Sequence, residues 1–258
     1  MERRRWLGAG DHLSSEPVVI DVVAASHLDA AGFDEGDVIV IVEPLYGAPA
    51  VAAALDAGWG SVELATELEA QAPIPLVSFE QVPSGELQGG RCRVRCDDLV
   101  VACRGPVAGP ALVLLGAPAF ARPLGARLGS VLTARALRRL TFVTADSVHA
   151  APDPARIRFE HVAADAWWAA GALVRVLLDE LDLRDSQLTD VAGVAMHLAT
   201  GAEEAATHLG AGARWRRHLA RGGSEDDLRL ARALDSLAVV PEVIDEGGVL
   251  VARPWVPA

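Results

Sequence analysis

The chain has 258 residues, 51% of them hydrophobic, with 35 acidic against 23 basic side chains and a net charge of −12. That composition supports a sizeable buried core and excludes a disordered chain. The acidic balance disfavours non-specific binding to nucleic acid or to an anionic membrane, and no run approaches the roughly 18 apolar residues of a membrane span.

The first fifteen residues, MERRRWLGAGDHLSS, carry positive charge but no apolar run of the kind a secretion signal needs, so a cytoplasmic protein is expected. PVVIDVVAAS (17–26) reads as a first strand. DVIVIVEP (37–44) reads as a second, with an unbroken apolar run over 38–42 as a central parallel strand has when both its faces are covered. A helix is expected from about Pro49 to Ala57, with proline in its first turn and Gly58 just past its end. SVELA (61–65) is a short strand, TELEAQA a polar helix, IPLVSFEQ (74–81) a strand and GELQGG a turn. RCRVRC and DLVVACR (98–104) are strand-like, with Asp97-Asp98 at a strand start. Alternation along the first of these puts Cys92 and Cys96 on the inner face and the arginines outside. With Cys103 they make three cysteines without the fourth ligand that a zinc site requires, so buried structural thiols are expected.

PALVLLGAPAFARPLGARLG (110–129) repeats the strand, turn and helix pattern of 38–62, and SVLTARALRRL (130–140) is helical. TFVTADS (141–147) is a strand and APDPAR a loop. HVAADAWWAAGALVRVLLDEL (161–181) is the longest apolar helix, with Gly171 at a point of close packing and at least one of Trp167 and Trp168 turned inward. Another helical stretch carries His197 and His208, which read as structural or surface side chains. Arg214, Arg216 and Arg217 around Trp215 read as a solvated helix face. Ser224 caps a helix with acids in its first turn. LAVVPEV and VLVARPW form a hairpin about Glu246-Gly247-Gly248. Strands alternating with helices define an α/β class, a three-layer α/β/α arrangement with a mostly parallel sheet. A single domain over 1–258 is expected, with related half-units at 35–105 and 106–258.

The tetrapeptide GAPA stands at 47–50 and again at 116–119, each time at a strand-to-helix turn, and two such turns converge on one crevice if the halves are related. Helix N-termini offer unpaired N–H groups and partial positive charge, which suit a phosphate, sulfonate or carboxylate. A small anionic metabolite is therefore the expected partner, held by Gly47, Ala48, Ala50, Gly116, Ala117 and Ala119. Glu43 at one strand end and Glu80 at another suit a hard divalent cation bound through oxygen.

In order and spacing these segments resemble the magnesium-dependent 2-phosphosulfolactate phosphatase family over roughly residues 36 to 252. VIVIVEPLYGAPAVAAALDAGWGSVELATELEA, ALVLLGAPAFARPL, GSVLTARAL, DAWWAAGALVRVL and ARALDSLAVVPEVIDEGGVLV carry the resemblance. It implies Mg²⁺-dependent hydrolysis of a small phosphorylated acid, with Glu43 and Asp165 catalytic, Glu43 and Glu80 on the metal, and Tyr46 and Thr133 beside the substrate. The departures fall where the family's chemistry lies. Glu43 replaces an Asp, Tyr46 an Arg, Ala48-Pro49-Ala50 a Thr-Ser-Thr, Ala117-Pro118-Ala119 an Asn-Gly-Thr and Thr133 an Asn, while Ala166 fills the second place of an acidic pair. The lost hydroxyls, amide and guanidinium would each have donated to an anionic oxygen, at a cost of about 1.5–3 kcal/mol for a charge-assisted contact. Two readings follow. One is a phosphatase with an altered site; the other is a non-catalytic relative that binds a small molecule or acts as a scaffold, oligomeric through the Trp167-Trp168 helix.

Overall fold

The computed structural model describes residues 18–28, 33–66, 90–109, 111–134, 138–145, 163–181, 187–199, 212–220 and 224–256. Among the described residues there are eight strands: β1 (Val19–Ala24), β2 (Asp37–Val42), β3 (Ser61–Ala65), β4 (Arg91–Arg95), β5 (Leu112–Gly116), β6 (Arg139–Thr144), β7 (Pro241–Asp245) and β8 (Leu250–Pro254). They form one sheet in the order β1-β6-β2-β5-β7-β8-β3-β4. β1, β6, β2 and β5 run parallel, as do β3 and β4, while β7 and β8 enter antiparallel between these blocks. The mostly parallel α/β class is thus present. Every side chain of β2 is buried, and because successive side chains point to opposite faces, both faces of the sheet are covered there.

The helices are α1 (Gly47–Asp56), α2 (Asp97–Arg104), α3 (Ala121–Ala134), α4 (Ala164–Leu181), α5 (Asp190–Leu198), α6 (Ala213–Ala220) and α7 (Glu225–Arg232). α3, α4 and α5 pack in series, with α4 against β6 and β2 and α5 against β1. Gly171 is where α4 meets α5: a Cβ there would lie 1.9 Å from the Ala195 carbonyl oxygen, so only glycine admits this approach. Trp168 is buried and Trp167 half-buried.

α1 is different in kind. Eight of its residues are buried, on all sides, the pattern of a helix enclosed by the fold. It touches β3, β4, β7 and β8. Flat strands spaced about 4.8 Å apart would hold β4 some 24 Å from β2, yet a Cβ on Gly47, just beyond β2, would lie 2.8 Å from the Cβ of Cys96, just beyond β4. The sheet therefore coils around α1, in the sense that strand twist accumulates, and brings two distant strand ends to one place.

Several expectations are corrected. Residues 98–104 are helical: acids fill the first turn of α2, Arg104 its last, and Leu99, Val100, Ala102 and Cys103 form a buried stripe of helical period. α1 begins at Gly47, two residues before Pro49. α3 is one helix through 121–134, taking in the first part of the expected helix 130–140, and β6 starts earlier than expected, at Arg139. The strand of the C-terminal hairpin starts only at Pro241. All three cysteines are buried and free, but Arg93 and Arg95 of β4 are not outside. Arg93 is buried opposite Glu63 in the β3–β4 register and donates to its carboxylate. Arg95 is half-buried. The expected helix after Thr66, the strand 74–81 with Glu80, the loop 151–156 and His208 lie outside the described residues.

Candidate functional site

β2 runs straight into Glu43, which is only 2% exposed. A carboxylate at that depth is costly unless hydrogen bonds and charge answer it. Its Oε1 accepts from the Leu45 N–H at 3.1 Å, and its Oε2 from the N–H groups of Gly47 at 2.5 Å and Ala48 at 3.4 Å. Gly47 and Ala48 open α1. Pro49 has no N–H to give, and the Ala50 N–H already bonds the Tyr46 carbonyl at 2.9 Å. The donors at this helix N-terminus are thus taken within the chain, by a side chain that reaches forward from four residues upstream.

The opposing charge is Arg214 of α6, which is buried rather than solvated. Its Nη1 lies 3.6 Å from Glu43 and 3.3 Å from Asp165, its Nε lies 3.1 Å from Asp98, and its Nη2 donates to the Ala145 carbonyl. One guanidinium therefore joins the end of β2, the first turns of α2 and α4, and the end of β6. Its planar fork suits that many acceptors at once. Burial pushes the Glu43 carboxyl up to about 7, against Arg214 and the Gly47 N–H and with the help of Asp98 and Asp165. Burial alone would lower the Arg214 guanidinium, but Asp165, Glu43 and Asp98 outweigh it and hold it above its ordinary value.

Above this cluster is a small cavity of about 30 Å³, lined by Glu43, Tyr46, Asp97, Asp98, Arg214 and His218 among others. One water needs about 10–15 Å³ on this measure, so the cavity takes a small group. Arg214 and His218 are i and i+4 on α6 and so face the same way. The His218 ring lies against Tyr46, with centroids 4.4 Å apart, and 5.4 Å from Trp215. Cys96 also lines the cavity, but burial holds its thiol well above the ordinary range, with Cys103 and Glu43 adding to the effect. It is no thiolate nucleophile.

Of the expected site residues, Glu43, Tyr46 and Gly47 line the cavity, and Asp165 stands behind Arg214. Ala48 and Ala50 are buried within α1. The second turn lies next to the first, since the Glu43 N–H donates to the Gly116 carbonyl at 3.4 Å. Even so, the described lining includes none of Gly116, Ala117 and Ala119. Ala117 and Ala119 are fully buried, and the carbonyls of Pro118 and Ala119 accept from the N–H groups of Asp235 and Leu237. Thr133 lies in the last turn of α3. Asp97, Asp98, Arg214 and His218 were not among the residues expected here. The Arg214–His218 spacing was a faint signal for one helix face, but nothing local to the sequence tied that face to Glu43.

The cluster does not fit Mg²⁺. That ion needs near-octahedral oxygen at about 2.0–2.1 Å, and a guanidinium stands among the three carboxylates. Among the described residues, no group of three or more His, Cys, Asp or Glu is placed to hold a metal. The chain matches no model of a known protein family, and no curated protein sequence matches it.

Proposed function

We propose that the chain is a small-molecule binding protein, a non-catalytic relative of the phosphatase scaffold it resembles. The observation that carries this reading is the occupation of the α1 N-terminus by Glu43. Backbone donors that would cradle a substrate phosphate hold the protein's own carboxylate instead. The cavity wall adds Asp97 and Asp98 to Glu43, against Arg214 and His218, so acids are in excess and an anion is repelled. The ligand class that suits this wall is a small polar molecule without net negative charge, seated against Tyr46 and His218.

The test is phosphate release from a panel of small phosphorylated acids, phosphosulfolactate included, with and without Mg²⁺. The expected outcome is no release above the protein-free rate. Alongside it, tryptophan fluorescence is followed while neutral and cationic small molecules are titrated in, with Trp215→Phe marking the share of Trp215 among the chain's 6 tryptophans. A saturable change is expected, lost in Tyr46→Ala and His218→Ala.

One observation favours the hydrolysis, though not the Mg²⁺ dependence, of the second reading, a phosphatase with an altered site. A carboxyl pushed up to about 7 beside a cavity is poised to exchange a proton near neutrality. Phosphate release that disappears in Glu43→Gln would establish that reading and overturn the first.

A further inference from the structure

The side chains of α5 are arranged against the usual sense of a surface helix. Its inward positions are small: Ala192 and Ala195 are buried, and Ala195 meets Gly171 of α4 backbone to backbone. Large apolar side chains stand outside instead. Val191, Val194 and Leu198 are 42%, 58% and 50% exposed, and their spacing of i, i+3 and i+7 sets them in one narrow stripe. No other described helix or strand exposes more than one large apolar side chain. Scattered single ones are ordinary on a protein surface, whereas a contiguous stripe marks a contact. The close approach of α4 and α5 explains the alanines. It does not explain two valines and a leucine where a solvated helix carries polar residues.

The charges at the ends of the stripe say what covers it. Between Asp190 and His197 the sequence of α5 holds no charged residue. Asp190 is exposed at the N-terminal end. At the other end are exposed His197 and exposed Arg175 of α4, whose Nη1 donates to the Ala199 carbonyl at 3.0 Å. The face is thus acidic at one end, apolar along the middle and basic at the other end. Such a face complements itself when turned end for end. A second copy with its α5 antiparallel brings each Asp190 to the Arg175 and His197 of the other, twice over by symmetry, and opposes the helix dipoles. Parallel pairing would set like ends together.

We propose that the exposed face of α5 is the contact surface of a homodimer, in which the α5 helices of two copies pack antiparallel about a twofold axis beside Val194. The inference does not rest on what the cavity binds. It also differs from a contact through the Trp167-Trp168 helix, where Trp168 is buried. A nine-residue helix is about 13 Å long, so the contact belongs with small, reversible interfaces and not with obligate ones.

Sedimentation velocity of the full-length chain across the micromolar range tests this, with Val194→Glu run beside it. The native chain is expected to shift from the mass of one chain towards that of two as concentration rises. Val194→Glu sets two like charges at the axis and is expected to weaken association at least about tenfold. Its circular dichroism spectrum is expected to be unchanged, because the side chain it replaces is exposed. Orientation is read by disulfide trapping in air, the native cysteines being buried. Val194→Cys is expected to cross-link with itself, and Val191→Cys with Leu198→Cys only when the two variants are mixed. A native chain that stays single at every concentration overturns the proposal and gives the stripe to a different partner. A dimer that Val194→Glu leaves intact overturns it as well. Val191→Cys that links to itself and not to Leu198→Cys means parallel helices, and does the same.

Discussion

The tetrapeptide GAPA occurs at 47–50 and at 116–119, each time where a parallel strand hands over to a helix, and the chain treats the two copies differently. At the first, the strand stops at Val42 and the glycine is already helical. At the second, the strand runs through to Gly116, Ala117 stays extended, and a single 3₁₀ turn precedes α3. The residues before the repeat explain this. The first copy is preceded by Glu43-Pro44-Leu45-Tyr46, the second by Leu112-Val113-Leu114-Leu115. Four apolar residues continue the strand; glutamate and proline end it, and the carboxylate turns forward onto the new helix. The second helix also receives a carboxylate, because the Arg122 N–H donates to Asp235 at 2.7 Å. That cap arrives from a distant segment across the fold, where the first comes from four residues upstream in the same turn. A turn that carries its own cap can be placed deep beside a cavity. One capped from a distance becomes packed and closed by the segment that caps it.

The substitution that erases this difference is Glu43→Leu, which gives the first turn the residue held by the second at Leu112. It strips an acceptor from three N–H groups and one carboxylate from a buried guanidinium. Breaking a buried ion pair by removing one partner costs about 3–5 kcal/mol, and urea denaturation is expected to register a loss of that size. A milder probe is Glu43→Gln followed across pH. Burial raises the folded carboxyl from 4.5 to about 7. Below pH 4.5 it is protonated folded and unfolded alike, and the stability tied to its protonation is fully present. As pH rises through 7 the folded state must ionise a buried group, and that stability is lost. Relative to Glu43→Gln, the native chain is therefore expected to lose about 3 kcal/mol between those limits. A difference that is flat with pH would mean that Arg214 and the N–H groups hold Glu43 ionised throughout.

Much of the fold is legible in the sequence because it rests on local pattern. The unbroken apolar run of β2 announces a strand covered on both faces, and Gly171 in the middle of α4 announces a close helix contact. Segment 98–104 misleads because Val100, Val101 and Ala102 have the look of a strand. What decides in favour of helix is the pair of acids before them and the spacing of what is buried. The candidate site is legible only in its first half. Glu43 at a strand end stands out, and so does the turn after it. Arg214 does not, since an Arg-rich helix reads as solvated until the fold sets it among three acids. The coiling of the sheet that carries Cys96 and Asp98 to Glu43 is likewise a property of the assembled sheet, not of any one segment.

The two glycines of the repeat sharpen the comparison at the next level down. A Cβ on Gly116 would lie 2.5 Å from Val40 Cγ1 and 3.0 Å from Leu173 Cδ1, so it meets side chains on β2 and α4. A Cβ on Gly47 would lie 2.8 Å from Cys96 Cβ and 3.0 Å from the Glu43 carboxylate. Overpacking of this kind costs about 1–3 kcal/mol, so both alanine variants are expected to be destabilised. Only Gly47→Ala presses on the carboxylate as well. It alone is expected to change the pH dependence of stability, while Gly116→Ala shifts the curve without altering its shape.

The smallest effect belongs to the distant cap. Asp235 accepts from the Arg122 N–H and lies 3.4 Å from the Arg122 side chain, which is 72% exposed. The ion pair at that exposure contributes little; what remains is a helix cap, whose loss costs about 1 kcal/mol. Asp235 also has a φ of 54°, a conformation that aspartate and asparagine tolerate better than alanine does. Asp235→Asn, which keeps an oxygen acceptor and the tolerance for that backbone, is therefore expected to recover most of the stability that Asp235→Ala loses in thermal melts. Neither variant touches the cavity, so ligand-induced changes in tryptophan fluorescence are expected to be the same in both. If Asp235→Ala instead altered those changes, the second turn would be coupled to the first through the Gly116 carbonyl, and the two copies of the tetrapeptide would act as one unit after all.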